Sequence, residues 1–169
     1  CVSAQHRDML DPVLKLFEIT PDIDLNIMKR GQDLFDITSS ILMQMRNVLE
    51  ENKPDLVLVH GDTSTAFATS LACFYSQIKI GHIEAGLRTN DVLSPFPEEF
   101  NRQVISLVSE LDFAPTSMNL DNLSKIKTNI SITGNTVIDS LYWMLDKIES
   151  DEAMNKHVKT HINKIVKFD

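Results

Sequence analysis

An α/β fold built on a parallel sheet is predicted by three features of this sequence. Apolar runs alternate with segments of helical periodicity, the connections between them are short, and two of the runs end abruptly in polar, glycine-bearing loops. Those two strings are Leu56-Val-Leu-Val-His60-Gly61-Asp62-Thr63 and Ile80-Gly-His82-Ile-Glu84-Ala-Gly86-Leu-Arg88. In doubly wound sheets, ligands collect beyond the carboxyl ends of the strands. A carboxylate delivered to each of two such turns points to proton-transfer chemistry.

Each element can be justified in order. Cys1-Val-Ser-Ala4 reads as the end of a strand already in progress. Met9, Leu10, Val13, Leu14 and Phe17 mark a first helix, with Pro12 tolerable only near its first turn. Asp24–Ile27 suggests a weak short strand, and Leu34, Ile37, Ile41, Met45 and Val48 form a helical stripe closed by Lys53-Pro54. Leu56–His60 has the continuous apolar pattern of a strand buried on both faces. Thr63, Ser64 and Thr65 are N-cap candidates for a helix reaching about Tyr75, and Ile78–Ile83 is the next strand. After a loop carrying Ser94-Pro-Phe-Pro97, Glu98 and Glu99 open a helix whose core face is expected to be Phe100, Val104, Leu107, Val108 and Leu111. Asp112–Ala114 is a short strand, Asn119–Lys127 a helix and Ile130–Thr133 a strand ending in Gly134-Asn135-Thr136. Ile138, Leu141, Leu145 and Ile148 mark the helix after it. Such an alternation gives right-handed crossovers and a parallel sheet.

Residues 1–149 are therefore expected to form a Rossmann-like domain. Residues 150–169, with Met154, Val158, Ile162 and Ile165 at helical spacing, read as a helical tail or linker. The opening on Cys1 and the unfinished first strand give the expectation of a partial polypeptide. At 169 residues the chain is long enough to bury roughly two-thirds of its unfolded surface.

Net charge is −8, and no basic stripe interleaved with aromatics appears, so nucleic acid is not an expected partner. An anionic substrate would have to be met by single arginines, backbone amides or helix N-termini. Two cysteines, Cys1 and Cys73, are too few for a disulfide framework and fit a reducing cytoplasm. No signal-peptide pattern and no apolar stretch of bilayer length is present, so no membrane partner is expected.

Local chemistry leaves alternatives open at the polar loops. Asp62 follows Gly61, a residue that permits tight turns and close ligand approach, but an aspartate there can also cap a helix. Glu84 sits too early to cap a helix, and its structural alternative is an ion pair with Arg88. Glu98 and Glu99 suit a first helical turn through the helix dipole. Arg102, one turn on, can pair with Glu98 or reach an anionic ligand. His60, Asp62, His82 and Glu84 together admit a metal-dependent phosphoester hydrolase, although their spacing matches no zinc motif. His157 and His161 suit a solvated helix face, and Cys73 a core position.

Taken together, five strings closely resemble the non-hydrolysing UDP-N-acetylglucosamine 2-epimerases. They are Ala4-Gln-His6-Arg-Asp-Met-Leu10, Val59-His-Gly-Asp62-Thr, Gly81-His-Ile-Glu84-Ala-Gly-Leu-Arg88-Thr, Ser94-Pro-Phe-Pro-Glu98-Glu99-Phe-Asn101-Arg102 and Ile132-Thr-Gly-Asn135-Thr-Val-Ile-Asp139. The resemblance implies one half of a glycosyltransferase-B-like two-domain fold, lacking its first strand. It further implies a homodimer in the full-length enzyme and no cofactor or metal. The implied reaction interconverts UDP-N-acetylglucosamine and UDP-N-acetylmannosamine by elimination and re-addition of UDP around C2. By this resemblance Asp62, Glu84 and Glu98 are the catalytic carboxylates, while Thr63 and Arg102 bind substrate. Gln5 and His6 match an allosteric site for UDP-N-acetylglucosamine, around which Asp8 and Gly31 depart from the family pattern. A partial chain is also compatible with a non-catalytic remnant domain.

Overall fold

The computed structural model describes residues 1–165, and the chain divides into two compact units, Cys1–Thr133 and a second beginning at Gly134. The first unit runs α1 (Arg7–Leu16), α2 (Leu34–Asn52), β1 (Leu56–His60), α3 (Ser64–Tyr75), β2 (Lys79–Ile83), α4 (Glu98–Val108), β3 (Leu111–Ala114), α5 (Ser117–Leu123) and β4 (Ile130–Ile132). The second consists of α6 (Thr136–Ser150) and α7 (Glu152–Ile165). The side chain of Ile165, and the part of the 150–169 tail beyond it, lie outside the described residues.

Four parallel strands pair in the order β1-β2-β3-β4, with Val59 beside His82 and His82 beside Asp112. A monotonic strand order with right-handed crossovers puts α3, α4 and α5 on one face of the sheet. The main core lies there. Ile41, Met45 and Leu49 of α2, Ala66, Ala68, Ala72 and Cys73 of α3, and Ile105 of α4 close over Val59 and Ile80. Fully burying one side chain such as Ile41, Ile80 or Ile105 is worth about 1.5–3 kcal/mol. A smaller cluster of Ala85, Ala114 and Leu123 seats α5.

Helix limits follow local chemistry. Asp33 and Asp36 form a reciprocal capping box at the start of α2, and Lys53, in a left-handed conformation ahead of Pro54, ends it. Thr63, whose side chain accepts from the Ala66 amide at 3.2 Å, caps α3. Pro12 lies inside α1, beyond its first turn.

Three expectations are corrected. Cys1–Ala4 and Asp24–Ile27 are not strands; a single parallel bridge, Val2 to Asp24, joins them. Leu56–His60 is not buried on both faces, because Leu56 and Leu58 are exposed on the face that α3 and α4 do not cover. The third correction concerns α4. Phe100 and Leu107 are exposed, and the buried face is Glu99, Asn101, Arg102, Ile105 and Ser106. A helix that turns its polar residues inward does so because they have partners there.

Candidate functional site

The polar loops after β1 and β2 emerge side by side, since His60 is paired with Ile83 across the two strands. The first turns through Gly61 at φ +69° and the second through Glu84, a non-glycine residue at φ +65°. A left-handed glutamate stores roughly 1–3 kcal/mol of strain, and such residues concentrate at functional sites. A Cβ added at Gly61 would lie 3.5 Å from Glu84 Oε2, so the two turns are within contact of each other.

Asp62 is held from α4. Arg102 Nη2 meets Asp62 Oδ2 at 2.6 Å, and the Asn101 side-chain amide donates to the Asp62 carbonyl at 2.8 Å. Glu84 is held from β1, with His60 Nε2 3.3 Å from Glu84 Oε2 and both side chains about half exposed. Arg88, its partner in the structural alternative, instead donates to Ser106 Oγ at 2.9 Å. Arg102 does not pair with Glu98; it faces Asp62 and, at 3.5 Å, Glu99.

Glu98 and Glu99 have opposite environments. Glu98 is half-buried, with no side-chain hydrogen bond or ion pair among the described residues. Glu99 is fully buried and accepts from the Thr89 amide at 2.9 Å, the Asn90 amide at 3.3 Å and Gln103 Nε2 at 2.7 Å. Burial pushes the Glu99 carboxyl up, but these hydrogen bonds together outweigh it and hold it below the usual carboxylate range. Glu99 therefore clamps the 88–97 loop, leaving Glu98 at the start of α4.

Thr63 is committed to capping α3, whose amino end opens on the same rim. Gln5 joins that helix from the other side. Thr65 Oγ1 donates to Gln5 Oε1 at 3.2 Å and shares a hydrogen bond with Ser3 Oγ at 3.2 Å. His6 is exposed beside it, and a shallow groove of about 470 Å³ there is lined by Gln5, His6, Met9, Leu10, Thr63 and Thr65, among others. A larger groove, about 800 Å³, lies at the opposite ends of the strands, between Leu42, Leu49, Tyr75 and Ile78, and contains no candidate residue.

Sequence reasoning missed a charged cluster beneath the β1 turn. His82 is fully buried; its Nε2 bonds the Gly61 carbonyl at 2.7 Å, and Asp112 Oδ1 lies 3.7 Å from Nδ1. Asp112 in turn accepts from Ser109 Oγ at 2.9 Å and faces Lys127 Nζ at 3.4 Å. Lys127 also donates to the Ser109 carbonyl. Burial pushes the His82 imidazole below its ordinary pKa, against the hydrogen bond to Gly61 and the charge of Asp112. Asp112, a carboxylate opening an otherwise apolar short strand, was the signal available in the sequence. Because His82 is committed to Gly61 and His60 to Glu84, the four residues of the hydrolase alternative do not converge. No group of three or more His, Cys, Asp or Glu side chains among the described residues is arranged to hold a metal ion.

The arrangement and order of these residues can be compared with known proteins. The family model described as UDP-N-acetylglucosamine 2-epimerase matches residues 1–167. The chain belongs to the UDP-N-acetylglucosamine 2-epimerase family. It is 53% identical over 165 residues to the UDP-N-acetylglucosamine 2-epimerase of Campylobacter jejuni, covering 96% of this chain and 43% of that protein. The Escherichia coli K12 enzyme of the same description is 52% identical over 161 residues. Among solved structures, the Neisseria meningitidis UDP-GlcNAc 2-epimerase bound to UDP-GlcNAc superposes with a TM-score of 0.89 at 49% identity, covering 100% of this chain and 45% of that one. The Methanocaldococcus jannaschii enzyme in complex with UDP-GlcNAc and UDP superposes at 0.86 with 31% identity. The fold is that of these glycosyltransferase-B-like epimerases, and the chain spans less than half the length of the relatives it matches.

Proposed function

We propose that the protein carrying this chain interconverts UDP-N-acetylglucosamine and UDP-N-acetylmannosamine by inversion at C2. The observation that carries this reading is a pair of carboxylates on adjoining turns at the carboxyl end of the sheet. Asp62 is fixed by a buried guanidinium and Glu84 is paired with an exposed imidazole. The C2 hydrogen has no neighbouring carbonyl to acidify it, so direct deprotonation is prohibitive. Breaking the C1–O bond to UDP while C2 loses its proton gives 2-acetamidoglucal, and UDP then adds back as a proton reaches the other face. That route needs a base, an acid and stabilisation of oxocarbenium-like charge, work for which carboxylates are suited. Asp62 and Glu84 flank the sugar in this reading, with Glu98 serving proton relay or re-addition. Thr63, at the amino end of α3, contacts the substrate, and Arg102 acts on it through Asp62.

No cofactor or metal enters this reading. Among the described residues no helix is long and apolar enough to cross a membrane. We further infer a cytoplasmic location, in keeping with a buried thiol at Cys73 and no disulfide framework, and a homodimer in the full-length enzyme. Gln5 and His6, hydrogen-bonded or adjacent to the start of α3, are proposed to form a second site for UDP-N-acetylglucosamine.

The test is incubation of the protein expressed from its complete reading frame with UDP-N-acetylglucosamine in deuterated water. UDP-N-acetylmannosamine labelled with deuterium at C2 is expected. Unlabelled, unchanged sugar overturns the reading, and normal turnover by Asp62→Asn removes Asp62 from it. Saturation by a simple hyperbola, without activation by substrate, would count against the second site.

A further inference from the structure

We propose that His82 is a positioning residue for Asp62, its Nε2–H clamping the Gly61 carbonyl so that the turn presents the carboxylate in one orientation. The inference rests on the reading of Asp62 as a proton-transfer group. The Gly61–Asp62 turn is gripped from two sides. From α4, Arg102 takes the Asp62 carboxylate and Asn101 its carbonyl. From β2, His82 takes the carbonyl one residue earlier, at 2.7 Å. The Gly61 amide continues the β1–β2 ladder by donating to the Ile83 carbonyl at 3.0 Å. Without His82, the peptide between Gly61 and Asp62 would be buried on one side with an unpaired acceptor, and the left-handed glycine would leave it free to rotate.

The chemistry of the ring follows from its partners. A carbonyl only accepts, so the nitrogen facing Gly61 must carry a proton. Among the described residues Nδ1 has no hydrogen-bond partner, and it looks toward Asp112, a carboxylate already engaged by Ser109 and Lys127. Lys127 supplies the positive charge that Asp112 needs, which leaves the imidazole neutral and committed to a single tautomer. His82, Asp112 and Lys127 thus form a base for the turn, reaching it from the far side of the candidate acids. None of the three touches the rim: His82 and Asp112 are fully buried, and Lys127 nearly so. Their contribution to turnover therefore passes through Gly61.

The experiment replaces His82 in the protein expressed from its complete reading frame. Glutamine carries its amide donor at about the reach of Nε2, asparagine stops short of it, and leucine fills the space without a donor. His82→Leu and His82→Asn are expected to lose about 100-fold in kcat with KM little changed, because a displaced reacting group costs rate before it costs binding. His82→Gln should recover most of that loss. Ring nitrogens labelled with ¹⁵N should report Nε2 protonated and Nδ1 bare in the wild type. Wild-type kcat in His82→Leu overturns the inference, as does a glutamine variant no better than asparagine, or an Nδ1–H tautomer. Failure of the wild-type protein to epimerise the sugar instead overturns the parent reading of Asp62, and this inference with it.

Discussion

Arg102 and Asp62 meet at 2.6 Å across 40 positions of sequence, the guanidinium 6% exposed and the carboxylate 28%. The pairing is asymmetric: Nη2 bonds Asp62, whereas Nε and Nη1 are buried without a hydrogen-bond partner among the described residues. Burying a guanidinium is costly, and Asp62 together with Glu99 at 3.5 Å offsets part of that cost while fixing its orientation. It ties the second residue beyond β1 to the second turn of α4, the helix that also carries Glu98.

Arg102→Met should lower kcat by about 100-fold and also cost stability, because Asp62 is exposed enough to be rehydrated when its partner is lost but the buried Glu99 is not. Arg102→Lys should do little better, since an ammonium lacks the planar fork and the reach of the guanidinium. Steady-state rates beside thermal melting curves distinguish this from general destabilisation.

Adjacent glutamates are expected to separate by phenotype. Glu99→Gln turns one accepting oxygen into a donor that faces backbone N–H groups, at a cost of about 2–3 kcal/mol in urea unfolding. Glu98→Gln has no such partners to disappoint, so its stability should stay within about 0.5 kcal/mol of wild type while turnover collapses. Equal loss of stability in both variants would show that Glu98, too, is structural.

Much of this architecture is legible in the chain. The strands β1 to β4 and helices α2 to α6 are announced by apolar period and by caps such as Thr63, because those signals are local. The misreadings have a common cause. Hydrophobic pattern predicts Phe100 and Leu107 in the core of α4, because it assumes that apolar residues turn inward. Here Glu99 and Arg102 occupy that face, satisfied by Thr89, Asn90 and Asp62, which lie in other elements. The partners of Arg102 and Glu84 likewise lie outside the helix or loop that carries each. Asp62 and His60 come from β1 and its turn, a distance no local rule spans. The strand reading of Cys1–Ala4 failed because its register with Asp24 extends to one bridge only.

Acid should weaken this fold in two windows. His82 has a folded pKa below its ordinary 6.5, so as pH falls past that value the unfolded chain takes up a proton that the buried ring refuses. Stability is therefore lost as pH drops below 6.5 and levels off once the ring itself protonates. Glu99 also has a lowered folded pKa; its contribution is present above the ordinary value of 4.5 and is lost as pH falls through the folded value. Urea midpoints measured between about pH 7.5 and 5.5 should decline, and His82→Leu should flatten that decline while leaving the more acidic one in place.

Gly86 and Gly61, both in left-handed conformations, should respond differently to alanine. At Gly86, φ +93°, a Cβ would lie 2.4 Å from the Asn119 carbonyl oxygen and 2.8 Å from its carbon. Backbone of α5 cannot yield locally, because Asn122 of the same helix donates to the Gly86 carbonyl at 3.0 Å and Leu123 is fully buried. Gly86→Ala should cost about 2–4 kcal/mol, combining strained backbone with overpacking, and melt β3 and α5 first by hydrogen exchange. At Gly61 the added methyl meets only Glu84 Oε2, at an ordinary 3.5 Å. Gly61→Ala should thus cost only the conformational term, about 1–2 kcal/mol, and fold normally. Its larger effect should fall on turnover, because the methyl enters the space between the two candidate acids. A Gly61→Ala enzyme with wild-type kcat would mean that the gap beside Glu84 is not where the sugar reacts.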